Sequence, residues 1–293
     1  MSSTHGGYYV PQPSYWPIVG SIGLFLTTGG FAMALPSKIG EPMGSLAIMY
    51  LGLAVLIVML FGWFGTVIKE SEGGLYNAQV DRSFRMGMTW FIFSEVMFFA
   101  AFFGALYYIR VFADPWLGGA GNNFSTNEWL YPEYTSQWPT NGPANMGGEY
   151  TVMGAWGIPA INTLILLSSG VTVTWAHWGL KKENRSQLIL GLLATVLLGF
   201  TFVGFQAYEY IHAYNDLNLK LTTGAYGSTF YMLTGFHGLH VTMGAIILLV
   251  VMLRAMKGHF SEENHFAFEA AAWYWHFVDV VWLGLFIFVY WLI

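Results

Sequence analysis

One glutamate stands out among the side chains capable of chemistry, because it lies deep inside an apolar run. Glu95 has Phe93, Val96, Met97 and Phe98 around it and no basic residue nearer in sequence than Arg85. From Arg85 to Arg110 a helix rising 1.5 Å per residue is about 37 Å long and carries Glu95 about 15 Å from its first end. That depth is near the middle of a bilayer, where an ionised carboxylate costs on the order of 3 kcal/mol. Such an acid has to be paired, hydrated or protonated, and the chemistry open to it is proton or lipid handling.

Two further groups carry chemistry-bearing side chains. Glu269, Trp273 and His276 recur at i, i+4 and i+7 and so share a helix face, with Asp279 three residues beyond His276. A His-Asp pair can orient a metal-bound imidazole, but helix-to-helix hydrogen bonding is the simpler expectation. His237 and His240 are spaced i, i+3, as in metal sites built across helices, where Gln206, Glu209 and His212 on the preceding run would have to complete the set. We expect hydrogen bonding in a helix-packing network of Glu209, His237, His240, Glu269, His276 and Asp279, with no catalytic residue and no metal site. A membrane haem is disfavoured too, since it needs axial ligands facing one another across a bundle, whereas His177 and His212 sit near the ends of runs.

The elements that position these groups are set by composition. The 293 residues are 55% hydrophobic and only 9% charged, against roughly 25% charged in soluble domains. Apolar windows near 20 residues long occur at 16–35, 45–68, 86–112, 153–180, 188–212, 226–253 and 266–293, so seven transmembrane helices are predicted. A short turn at 36–44 joins the first two. A polar Gly/Asn/Pro-rich loop at 113–148 is long enough to hold structure of its own outside the membrane. Residues 1–14 contain no Lys or Arg, so they lack the basic start of a secretory signal and the first run is expected to be retained. Pro11, Pro13 and Pro17 around Tyr15 and Trp16 predict an extended lead-in to an interfacial aromatic anchor.

The basic residues orient the chain. With the N-terminus cytoplasmic, Lys69, Arg82, Arg85, Lys181, Lys182, Arg185, Arg254 and Lys257 fall inside, and only Lys38, Arg110 and Lys220 fall outside. Miscounting a span would invert the later loops, so the charge bias supports both the count and a periplasmic C-terminus. These scattered cations form no dense basic patch, which argues against a nucleic-acid partner. Glycines such as Gly191, Gly199, Gly204, Gly235, Gly238 and Gly244 predict close helix approach in lipid. No internal repeat of the transporter kind is evident. No cysteine is present, so neither a disulfide framework nor a thiolate site can be argued.

Several blocks in fixed order then make the chain recognisable: RMGMTWFIFSEVMFF at 85–99, TWAH at 174–177, QAYEY at 206–210, YGSTF at 226–230, GFHGLH at 235–240 and FEAAAWYWHFVDVVW at 268–282. Together they resemble subunit III of the haem-copper cytochrome c oxidases. The resemblance implies an all-α integral membrane fold, with a first helix pair (16–68), a five-helix bundle (85–293) and a V-shaped cleft between them filled by phospholipid. It further implies an accessory subunit of a proton-pumping terminal oxidase, which binds no cofactor of its own beside those lipids. Haem and copper are implied in partner subunits: subunit I in direct contact, subunit II in the same complex, and cytochrome c as electron donor. Supporting proton uptake, turnover stability and oxygen access would be its part.

Glu95 matches the family's buried acid, and Trp63, Lys69, Arg254 and Lys257 fall where lipid-cleft residues are expected. After Trp63, Phe64 and Gly65 replace the Trp-Arg pair of the animal mitochondrial pattern. The long 113–148 loop and the lack of cysteine favour a bacterial inner membrane. The alternatives are subunit III of a quinol oxidase, which resembles only the last five helices, a proton-coupled transporter and a haem-binding electron carrier.

Overall fold

The computed structural model describes residues 9–35 and 44–293. The predicted turn at 36–44, with Lys38, therefore lies outside the described residues except for Gly44. Among the described residues the chain is helical without strands, and seven helices are long and apolar enough to span a membrane. The chain divides into two compact units, Met1–Phe84 and Arg85–Ile293.

The first unit is a helical hairpin. Helix α1 (Trp16–Ala34) starts on Pro17, whose missing N–H costs nothing in a first helical turn, and α2 (Ala47–Glu72) returns against it. Small residues set their spacing: a Cβ added at Gly30 would overlap the backbone of Met49, and one at Gly52 would overlap Thr27. The Trp16 indole donates to Thr66 Oγ1 at 3.2 Å and ties the start of α1 to the far part of α2.

The second unit holds most of helix α3 (Ala78–Tyr108), which begins in the first unit and continues through a π-helical turn at Ile109–Ala113. Two short helices follow, α4 (Asp114–Leu117) and α5 (Phe124–Leu130). The remaining spans are α6 (Ile158–Lys181), α7 (Arg185–Asn215), α8 (Gly224–Lys257) and α9 (Phe266–Leu285), the last running on as a π-helical segment at Phe286–Trp291. Several helices overrun the predicted windows, α7 by three residues at each end. Periodicity of apolar residues marks the hydrocarbon layer, whereas the backbone keeps its hydrogen-bonded ladder into the polar interface.

Helix α9 is the centre of this unit: 61% of its apolar window is buried, against 11% for the windows of α2 and α3. Its Trp275 and Trp282 are fully buried and satisfy their indole N–H groups on Ser169 Oγ (2.8 Å) and Thr163 Oγ1 (2.9 Å) of α6. Gly199 of α7 and Gly244 of α8 make room for the Trp275 ring, each leaving under 3 Å for a Cβ. Gly191 likewise abuts Ala176. Gly204 and Gly238 face open space, so the glycine pattern marks close packing at some positions and not at others.

The 113–148 segment has its own order. Asp114 is buried and accepts from the Tyr134 hydroxyl and, at 2.5 Å, from Ser136 Oγ. Asn127 Nδ2 bonds the carbonyls of Leu117, Tyr131 and Tyr134. Beyond it the chain docks on the turn between α7 and α8, where Asn218 Nδ2 reaches the carbonyls of Gly147 and Glu149 and the Thr140 carbonyl receives the Tyr226 N–H.

Candidate functional site: polar groups within the spans

Glu95, midway along α3, meets His240 of α8. Oε2 of the acid lies 2.8 Å from His240 Nε2, and His240 Nδ1 lies 2.6 Å from the Phe236 carbonyl. A carbonyl only accepts, so Nδ1 carries a hydrogen, and a single further proton bridges Nε2 and Oε2. Whichever partner holds it, the pair is net neutral, which removes the cost of an isolated charge at this depth. Rings of Phe98, Phe99 and Tyr274 surround the imidazole.

His237, one turn before, is directed elsewhere. It is fully buried, Nε2 donates to the Val278 carbonyl at 3.1 Å, and Trp282 and Phe202 pack on its ring. The two histidines thus serve different neighbours and do not converge. Of the residues considered as further ligands, His212 pairs with Asp216 at 2.7 Å, and Glu209 accepts from Tyr290 at 2.6 Å and from Gln206 at 3.4 Å.

The α9 constellation is also distributed. His276 Nε2 lies 3.3 Å from Thr174 Oγ1 of α6, and Asp279, buried, has Oδ1 without a hydrogen-bond partner. Glu269 takes the guanidinium of Arg85 on Oε2, while its Oε1 faces His265 and His177. Sequence reasoning gave Glu269 a face with Trp273 and His276 and did not single out His265. The signals available were the TWAH block, which contains His177, and the i, i+4 spacing of His265 and Glu269.

Trp63 and Lys69 are exposed on α2 of the first unit, and Lys257 is exposed at the end of α8 in the second. Arg254 is half-buried with its guanidinium 4.8 Å over the Phe260 ring. Six of the eight basic residues of the second unit lie at the end where α3 and α9 begin, where Arg85 meets Glu269 and Arg185 meets the Met256 carbonyl, whereas Arg110 and Lys220 lie at the other. Outside the spans, Tyr134 is pushed up to about 12 by desolvation and then by its hydrogen bond to Asp114.

Comparison with known proteins agrees along the whole chain. Residues 6–128 and 130–293 match the family model described as cytochrome c oxidase subunit III. Proteins named cytochrome c oxidase subunit 3 from Tetraodon nigroviridis and Carassius auratus are 40% and 41% identical to it, each over 99% of both chains. The one from Papio hamadryas is 41% identical over 97% of this chain and 96% of its own. The transporter and haem-carrier alternatives fall with this agreement. A seven-span helical body matched from end to end in this way places the chain in the cytochrome c oxidase subunit III family, as an integral membrane subunit of a respiratory oxidoreductase complex.

Proposed function

We propose that this subunit packs beside the haem- and copper-bearing subunit I, with subunit II in the same assembly and cytochrome c as its donor, and that it sustains proton uptake and turnover there. The reading rests above all on surface chemistry. Leu51, Ile57, Val58 and Phe61 of α2 and Trp90 and Phe93 of α3 are apolar and exposed. Within a bilayer such faces are matched by acyl chains or by other apolar helices, including those of a neighbouring subunit.

Trp63 and Lys69 in the first unit, and Arg254 and Lys257 in the second, are proposed lipid contacts, the cations reaching anionic headgroups and the indole lying at the interface. Lipid held there would shield the partner's apolar flank and leave a route for oxygen, which partitions into hydrocarbon. The membrane is proposed to be a bacterial inner membrane, with the N-terminus cytoplasmic.

The test compares intact oxidase, oxidase depleted of this subunit and an assembled E95Q variant for turnovers before inactivation and protons pumped per electron. Depletion is expected to shorten the lifetime severalfold, with E95Q intermediate, because an amide keeps the hydrogen bond to His240 but carries no exchangeable acid proton. Lifetimes and stoichiometries unchanged in both would refute the proposal.

A further inference from the structure

At the basic end of the second unit, three ligand-type atoms converge without hydrogen-bonding one another. His177 is on the last turns of α6, His265 is the residue before α9, and Glu269 is in the first turn of α9. His265 Nε2 lies 3.2 Å and His177 Nε2 3.8 Å from the same oxygen, Glu269 Oε1, and all three atoms fall within 4.8 Å of one another. Both imidazole Nε2 atoms are buried and lack a hydrogen-bond partner.

The surroundings fix what these atoms offer. His265 Nδ1 is 3.0 Å from the Ser261 carbonyl, an acceptor, so Nδ1 carries a hydrogen and Nε2 is the ring atom turned toward Glu269. A backbone carbonyl behind one ring nitrogen is the usual support for a metal-bound imidazole. Arg85 occupies Glu269 Oε2 and leaves Oε1 to the cluster. At Glu95 a single proton can satisfy one imidazole and one carboxylate oxygen, whereas here two imidazole nitrogens face the same oxygen, and one metal cation can satisfy all three.

We propose that His177, His265 and Glu269 bind a divalent transition cation of the zinc class. Bond lengths of about 2.0–2.2 Å in a tetrahedron put neighbouring ligand atoms about 3.3–3.6 Å apart. The 3.2 and 3.8 Å separations bracket that range, so rotation of His177 completes the set. Two imidazoles select against magnesium and calcium, which take oxygen ligands. The adjacent positive charge of Arg85 weakens cation binding, which makes the site exchangeable and therefore suited to control by free metal.

The assembled oxidase, stripped with chelator, would be dialysed against Zn²⁺ and its zinc-to-haem ratio measured for wild type, H265N and E269Q. Each variant is expected to lose one zinc per complex; an unchanged ratio would overturn the site. A wild-type measurement guards against variants that fail to assemble. With Zn²⁺ at ten times half-saturation, carbethoxylation of His177, followed by mass spectrometry, is expected to slow about tenfold, and an unaltered rate would equally overturn it.

Discussion

Glu95 and His240 illustrate how a polar side chain is kept in hydrocarbon: each supplies what the other lacks, and the Phe236 carbonyl fixes the direction of the imidazole. The same logic holds Asp114, whose buried oxygens take hydroxyl donors from Tyr134 and Ser136. Because Tyr134 stands above the ordinary tyrosine value of 10.0, at about 12, folding favours its neutral form. Its contribution is therefore complete below pH 10 and is lost as pH rises toward 12. Y134F should loosen the 114–140 segment by about 1.5–3 kcal/mol, the worth of a hydrogen bond to a charged group. Limited proteolysis of that segment by an alkaline-active protease, referred to the cleavage rate of an unstructured peptide at each pH, should show the loss at neutral pH and, unlike wild type, little further change as pH rises through 10 toward 12.

At the scale of elements, contact distance decides which glycines matter. Gly52 of α2 has the Thr27 backbone where a Cβ would stand, whereas Gly65 on the same helix has nothing within 4 Å. G52A should therefore push α1 from α2 at a cost of about 1–3 kcal/mol, the usual penalty for overpacking. G65A should instead stabilise α2 by up to about 1 kcal/mol through helix propensity. Proteolysis or amide exchange of the α1–α2 hairpin in the assembled complex would separate the two, and equal effects would contradict the packing account. In the second unit α9 has the corresponding central role, with Gly199 and Gly244 shaped around Trp275.

For the whole molecule, the eight-to-three distribution of Lys and Arg predicts a single orientation. The chain has no cysteine, so single cysteines give an unambiguous readout. A cysteine at exposed Glu128 should resist an impermeant maleimide added from the cytoplasmic side and react with it from the other, and one at exposed Glu183 should do the reverse; the opposite pattern would invert the proposed topology.

Seven spans, the intramembrane acid and the family were legible without coordinates, because crossing hydrocarbon requires long apolar runs and those runs are local in sequence. The partners of the polar residues were not. His276 and Asp279 sit close along one helix, yet His276 turns to Thr174; His237 and His240, three residues apart, serve different neighbours. Glu269 finds Arg85 across 184 positions. Helical periodicity determines which side chains share a face, but the identity of the facing group depends on how distant helices pack, and that was decided only by the tertiary structure.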